Sequence, residues 1–408
     1  MMFSTLGLGP GTCASLARLG YETPTPIQAE AIPLVLSGVD LLARAQTGTG
    51  KTAAFGLPII ERLAASSGPS ASPGVRAPRA LVLVPTRELA AQVHQSLTDF
   101  AAPTRLRAVA IFGGVSLNGQ VQAIRRGADI VVATPGRLLD HMERRTIDLS
   151  RIEVLTLDEA DRMLDMGFLP ALRRILAAVP RRRQTLLFSA TLGDDVVRLS
   201  SSFTENPVRV DVSSRQVVAA TVTHHVRQVA VDRKRDALTD ILTEHGAAQA
   251  LVFCRTKRGA NRVGEDLGQR GVRTGVIHGN KSQGARNRAL EDFKRGRVRV
   301  LVATDIAARG LDIAHLPLVI NFDLPLVAED YVHRVGRTGR AGQEGRAVSL
   351  VTASEAGLLQ QIQRVVAAPL EGVVGSPLLS ARPAPDARNN HPRAASRAGR
   401  RPFRGRRR

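Results

Sequence analysis

The chain has no Trp, and aromatic residues make up only 3% of its 408 residues. Stacking on aromatic rings is therefore not its main device for holding bases. Cysteine is nearly absent as well. Cys13 and Cys254 stand far apart, with no cluster of His and Cys around them. That excludes a cysteine-based zinc site and fits a reducing compartment. No apolar run approaches the ~20 residues of a membrane span. Met1 to Gly20 shows no basic segment ahead of an apolar core, as a secretory signal would. These absences predict a soluble, cytoplasmic protein with no membrane contact. Lysine is scarce too: only five of the 57 basic residues are Lys, and 36 acidic residues leave a formal charge of +21. Such an excess of cations points to a polyanionic partner, with nucleic acid the first candidate.

What is present is an alternation of apolar runs and helical patterns. The length suits two domains and a tail. Leu81-Val82-Leu83-Val84, Ile130-Val131-Val132-Ala133, Val154 to Leu157 and Thr185 to Phe188 read as buried strands, with room for helices between them. The pattern resumes with Ala250 to Phe253, Thr274 to Ile277, Val298 to Ala303, Leu318 to Ile320 and Ala347 to Val351. This predicts two α/β halves, each with a parallel sheet flanked by helices. Ser66 to Pro78 is rich in Ser, Pro and Gly and reads as a surface loop. Asp211 to Ala220 reads as a linker. From Arg382 to Arg408 there are ten Arg, one acidic residue and almost no apolar groups. Such a segment cannot bury enough surface to fold and is expected to be disordered.

Two motifs carry the chemistry. Ala45-Gln46-Thr47-Gly48-Thr49-Gly50-Lys51-Thr52 follows a strand-like stretch and opens a helix-like one. Its glycines let backbone N–H groups turn toward phosphate oxygens. Lys51 reaches the terminal phosphates, and Thr52 offers a hydroxyl to Mg²⁺. Asp158, at the end of an apolar strand, is placed to hold Mg²⁺ through water. Glu159 beside it is placed to orient and deprotonate an attacking water. Upstream, Gln28 offers the donor and acceptor that bracket an adenine edge, selecting ATP over GTP. In the second half, Arg334, Arg337 and Arg340 recur every third residue, which on a helix shares one face. The intervening Gly336 and Gly339 disfavour a helix interior and predict close approach to a triphosphate bound by the other half. Arginines presented across a cleft neutralise charge developing on the γ-phosphate.

Taken in order and spacing, residues 3 to 365 resemble the DEAD-box RNA helicases, and within them the bacterial RhlE-like branch. That family carries Ala where other phosphate loops have Gly, as Ala45 does here. The resemblance implies two tandem RecA-like domains: an ATP-binding domain over 1–210, a linker over 211–220, a helicase domain over 221–368 and a disordered Arg-rich tail over 369–408. It implies that Phe3 and Tyr21 support the adenine read by Gln28, and that Gly310 and Asp312 face the nucleotide. Asp161 would link to the second domain through His333, and Ser189-Ala190-Thr191 would couple ATP state to strand separation. Arg337 and Arg340 would be arginine fingers.

RNA contacts would come from Pro85, Thr86, Arg87, Gly113, Gly114, Thr134, Pro135, Gly136 and Arg137 in the first domain. In the second they would come from Arg255, Thr256, Gln283, Arg286, Thr304 and Asp305. These segments carry hydroxyls, Arg and Gly-exposed N–H groups, which suit sugar and phosphate rather than base edges. Single-stranded RNA or a short duplex, with weak sequence preference, is the expected partner. Ribosome assembly and RNA decay are both settings of such proteins. A nucleic-acid clamp that uses ATP only as a closure ligand, and a DNA helicase, are the rival readings. The intact Glu159, Thr191 and arginines disfavour the first, and the RNA-type motifs disfavour the second.

Overall fold

The computed structural model describes residues 1–45, 48–66, 77–212, 222–246, 248–308, 313, 316–339, 344–366 and 369–372. They form two seven-stranded sheets in which every strand pairing is parallel. The first holds β1 (Leu41–Arg44), β2 (Ala80–Leu83), β3 (Ala108–Ile111), β4 (Ile130–Ala133), β5 (Val154–Leu157), β6 (Gln184–Ser189) and β7 (Val208–Asp211). The second holds β8 (Val222–Gln228), β9 (Ala250–Phe253), β10 (Thr274–Ile277), β11 (Val300–Ala303), β12 (Leu318–Asn321), β13 (Gly345–Val351) and β14 (Leu370–Glu371).

The spatial orders are β3-β4-β2-β5-β6-β1-β7 and β10-β11-β9-β12-β13-β8-β14. The second is the first shifted by seven, so the halves repeat one topology. This is the tandem RecA-like architecture that the resemblance implied.

Strand composition follows from burial on both faces. Along β1, Leu41 and Ala43 join one apolar cluster while Leu42 joins the opposite one. Along β2, Ala80 and Val82 face the first cluster and Leu81 and Leu83 the second. Successive side chains of a strand point to opposite faces, and helices cover both, so the central strands need unbroken apolar runs. The rings of Phe55 and Phe188 meet with centroids 5.4 Å apart in the first cluster. Removing the fully buried Phe188 ring would cost about 3–5 kcal/mol.

Strands that the sequence did not reveal, such as β3 and β8, lack such a run. β3 is an edge strand whose residues alternate between half-buried and buried. β8 carries Thr223, His224 and His225. Two boundaries need correction. Asp211, expected to begin the linker, ends β7, where it pairs with Arg44 at 3.2 Å. The second sheet runs past 368, because Leu370 and Glu371 pair with His224 and His225 of β8. Residues 67–76, 213–221 and 373–408, which hold most of the expected loop, linker and tail, lie outside the described residues.

Candidate active site at the carboxyl ends of the strands

Strands β5, β6 and β1 are neighbours, so the loops leaving their carboxyl ends meet. These are the acidic loop, Ser189-Ala190-Thr191 and the phosphate loop. Crevices beyond the carboxyl ends of parallel strands are where such folds bind ligands. The Ala45 amide donates to the Ser189 carbonyl at 2.9 Å, locking the first loop to the second.

Gly48 and Gly50 have left-handed backbones, with φ of +84° and +92°. Gly50 caps the helix Lys51–Ala65, and a Cβ there would run into Gln28 Nε2. Lys51 is 6% exposed. Its Nζ lies 3.7 Å from Asp158 Oδ1 and finds no hydrogen-bond partner among the described residues. A buried ammonium with its donors unmet is costly, so the site is built for an anion that supplies acceptors. The first N–H groups of the helix add a positive field in the same place. Gln46 and Thr47 lie outside the described residues.

Gln28 is 1% exposed. Its Oε1 accepts from the Thr25 amide at 2.9 Å, and its Nε2 donates to the Gly50 carbonyl at 3.1 Å. One N–H and one lone pair of the carboxamide are left over for a base edge. Phe3 is buried and meets Tyr21 edge-on, 6.4 Å between ring centroids, and Tyr21 meets Phe100 at 5.8 Å. Of the residues named for adenine, Gln28 thus holds the phosphate loop at Gly50, while Phe3 and Tyr21 pack on one another.

Asp158 is buried, which pushes its carboxyl up to about 6, with Lys51 opposing and Glu159 reinforcing. Its Oδ1 accepts from the Glu159 amide at 3.0 Å. Glu159 has φ of +55°, a left-handed backbone that a side chain rarely adopts. Strain of that kind persists at working sites. Asp161 Oδ2 accepts from the Ala190 amide at 3.1 Å, the Thr191 amide at 3.0 Å and Thr191 Oγ1 at 3.1 Å. Burial alone would raise the Asp161 carboxyl, but Lys51, His333 and Arg162 together hold it below its ordinary value. His333, half-buried, is pushed down to about 3 by desolvation, with Arg162 adding to it and Asp161 and Asp330 opposing. Asp158 and Thr52 are the pair whose chemistry suits a divalent cation, a buried carboxylate and a hydroxyl in the first turn of the helix after the phosphate loop.

The other loops form a second surface. Those after β2, β3 and β4 hold Thr86, Gly113 and Thr134. Thr86 Oγ1 caps the helix Arg87–Ala101 by accepting from the Leu89 amide at 3.2 Å. In the repeated position after β9, Thr256 Oγ1 accepts from the Gly259 amide at 3.0 Å and caps Lys257–Gln269. The Arg87 guanidinium packs on Gly113 and Gly114, where any Cβ would crowd it. Thr134, Pro135 and Gly136 start the helix Pro135–Glu143. Within it Arg137 bonds Asp140 Oδ2 at 3.2 Å and the Val115 carbonyl at 3.1 Å. Pro85 and Thr304 are buried.

Several expectations need correction. Arg334 and Arg337 do not share a helix face, because the helix Ala328–Val335 ends at Gly336. Arg334 is 2% exposed, lies over the Phe253 ring at 4.9 Å, and binds both oxygens of Asp305, at 2.5 and 2.7 Å. Asp305, named for RNA, is therefore turned inward. Arg337 is buried after the helix, and its carbonyl accepts from the Leu316 amide at 3.1 Å. Arg340, Gly310 and Asp312 lie outside the described residues. Gln283 and Arg286, also named for RNA, reach across to the first half, both to Glu88 Oε1, at 2.8 and 2.9 Å. Arg255 is held by Glu355 at 2.8 Å, which Lys234 also binds at 2.9 Å. Glu88 lies in the segment read toward RNA, not as a partner of the second half; Glu355, Lys234, Arg162 and Asp330 went unread as functional, since a lone charge beside a motif looks like a solvated one.

Comparison with known proteins bears on these features. Residues 25–199 match the family model described as DEAD/DEAH box helicase, and residues 233–342 match Helicase conserved C-terminal domain. The chain is 43% identical over 369 residues to the DEAD-box ATP-dependent RNA helicase CshA of Geobacillus kaustophilus, covering 90% of this chain and 77% of that one. It is 42% identical over 362 residues to CshA of Bacillus subtilis, covering 89% and 72%. Among solved structures, S. cerevisiae Dbp5 bound to RNA and ADP BeF3 superposes with a TM-score of 0.80 at 31% identity, covering 90% of this chain and 93% of that one. A Dbp5 variant bound to Gle1 and IP6 gives 0.70 at the same identity, covering 89% and 92%.

Proposed function

Because this chain belongs to the DEAD-box ATP-dependent RNA helicases, we propose a division of labour between its two halves. The protein is an ATP-hydrolysing enzyme that couples ATP to local RNA duplex separation or ribonucleoprotein remodelling. The observation that carries the division is Lys51. It is a buried cation with no hydrogen-bond partner among the described residues, facing Asp158 from the phosphate loop.

In our reading Gln28 selects adenine, Gly48 to Lys51 hold the phosphates, and Glu159 takes the proton of the attacking water. Thr52 and Asp158 hold Mg²⁺, which when bound neutralises phosphate charge. Arg337 and Arg340 complete the site from the second half, so hydrolysis requires closure. The higher TM-score with Dbp5 bound to RNA and ADP BeF3 supports reading the arrangement described here as the closed one. RNA lies across Thr86, Arg87, Thr134 and Arg137 in the first half and Thr256 and Thr304 in the second. It is gripped by its backbone and 2′-OH groups.

The domain limits, adjusted to 1–211 and 222–371, belong to the same proposal. So do the cytoplasmic setting, a role in ribosome assembly or RNA decay, and the Arg-rich segment as a tether for RNA. We place the chain in the RhlE-like branch on its motifs; the relatives reported above bear the CshA name instead. Phosphate release measured with ATP alone, with RNA and with DNA tests the division. RNA alone should stimulate, and Lys51→Ala should abolish the stimulation. Equal stimulation by DNA, or full turnover in Lys51→Ala, would count against it.

A further inference from the structure

Arg162 and Asp330 join the two halves at a point that no motif assigns. Arg162 lies in the short helix Ala160–Asp165 after β5, and Asp330 in the helix Ala328–Val335 between β12 and β13. Arg162 Nη1 stands 2.6 Å from Asp330 Oδ1. The side chains are only 6% and 16% exposed, so solvent and salt screen this pair weakly. Breaking a buried pair by removing one partner is far more disruptive than losing a surface pair.

Position makes the pair more than a contact. The Arg162 amide donates to Asp161 Oδ1 at 3.0 Å. The other Asp161 oxygen takes the amides of Ala190 and Thr191 and the Thr191 hydroxyl. Asp330 sits one helical turn before His333. The bridge is thus one residue from the carboxylate that ties β5 to β6, and one turn from the imidazole that faces it. Arg162 has a second acceptor in its own half: Asp165 Oδ2 lies 3.6 Å away, on a side chain 55% exposed.

We propose that the Arg162–Asp330 pair is the clasp that sets how readily the halves close, with Asp165 as the partner to which Arg162 returns when they part. This deepens the helicase reading and rests on it. Arg162 and Asp330 are positioning residues: neither touches the phosphates. Closure is a binding equilibrium shared with RNA and ATP. Weakening the clasp therefore raises the RNA concentration needed for half-maximal hydrolysis and leaves the turnover at saturation largely intact.

The test uses the full chain with Arg162→Glu, Asp330→Arg and the two combined, so that the charges are exchanged. Phosphate release is measured against RNA concentration at saturating ATP. The distance between dyes on the two halves is measured with ADP BeF3 and RNA. Each single variant should raise half-saturating RNA by about tenfold and lower the closed fraction. Maximal turnover should stay within about threefold. The exchanged pair should return half-saturating RNA to within about threefold of the parent. Asp165→Asn, which removes the competing acceptor, should shift half-saturating RNA downward.

Single variants that match the parent, or an exchanged pair no better than its worse single, would overturn the clasp. If a charge reversal fails to fold, Arg162→Gln and Asp330→Asn are read in the same two assays, with the same expected direction. A parent protein without RNA-stimulated release would sink the helicase reading itself. An active parent with inert clasp variants would sink only the clasp.

Discussion

The hydroxyl of Thr191 donates to Asp161 Oδ2 at 3.1 Å, and the Thr191 amide donates to the same oxygen at 3.0 Å. Thr191 follows β6 and Asp161 follows β5, so one carboxylate holds two strand ends together. A hydrogen bond to a charged acceptor is worth about 1.5–3 kcal/mol. Thr191→Ala deletes the hydroxyl but leaves the amide, so the loops should stay joined more loosely. Strand separation should fall about tenfold while RNA-stimulated hydrolysis stays within about threefold. Parallel loss of both, measured on one RNA duplex, would show that Thr191 serves hydrolysis rather than coupling.

Lys51 and Glu159 should separate binding from chemistry. Lys51→Ala removes the buried cation that faces the phosphates, so ATP-dependent RNA binding and hydrolysis should both collapse. Glu159→Gln keeps size and hydrogen bonding but cannot take a proton. Hydrolysis should drop by about 10²-fold or more, while RNA retention with ATP stays close to that of the parent or rises. Single-turnover phosphate release and RNA binding at equilibrium report the two quantities. RNA binding lost equally in both variants would contradict the roles assigned.

The backbone of Glu159 offers a test that sets stability against activity. At φ of +55° it is left-handed. Glycine enters that region freely, at the cost of a more flexible unfolded chain. Glu159→Gly should therefore leave the melting temperature unchanged or raised, by at most about 1 kcal/mol of stability. Turnover should fall as far as in Glu159→Gln. A clear drop in melting temperature would mean that the Glu159 side chain is structural.

Acid should loosen the closed form through His333. Burial, with Arg162 adding to it, lowers the imidazole to about 3, against an ordinary value near 6.5. Above 6.5 the group is neutral whether folded or not, and its contribution is fully present. Between 6.5 and about 3 the unfolded chain takes up a proton that the folded one resists, so stability is lost as pH falls through that window. Burial also lowers His141 and His224, and they act in the same direction. Melting temperature should fall between pH 7.5 and pH 5.5, and His333→Asn should show a smaller fall. Identical slopes for parent and variant would remove His333 from the account.

The Arg-rich segment should show itself in salt dependence. It holds ten Arg over residues 382–408. On single strands each neutralised phosphate adds about 0.7 to the slope of log affinity against log salt. Deleting 382–408 should weaken RNA binding at low salt and reduce that slope by about 2 or more. The stimulated turnover at saturating RNA should be unchanged. An unaltered slope would leave the segment with no part in binding.

The sequence by itself determined the central strands, the phosphate loop and the acidic loop. The reason is local. A strand buried on both faces must be apolar at every position, as Ile130 to Ala133 is. A loop that wraps phosphates needs glycine at the left-handed positions, 48 and 50. Edge strands carry no such constraint, so β3, β7 and β14 could not be read, and neither could β8, which, though paired on both sides, carries polar residues at 223–225. Nor could the fate of the arginines. Their spacing would share one face on a helix, which Gly336 and Gly339 disfavour; the helix does end at Gly336, but that Arg334 is taken up inside by Asp305 and Phe253 was not legible. Only the tertiary structure decided which charges bridge the halves. Glu88 meets Gln283 and Arg286, and Arg162 meets Asp330, across separations of well over a hundred residues. In the sequence Arg162 and Asp330 are single charges beside a motif, while Glu88, Gln283 and Arg286 lie in segments read toward RNA. Becoming a buried partner depends on how two sheets of the same topology are brought together, which no local pattern encodes.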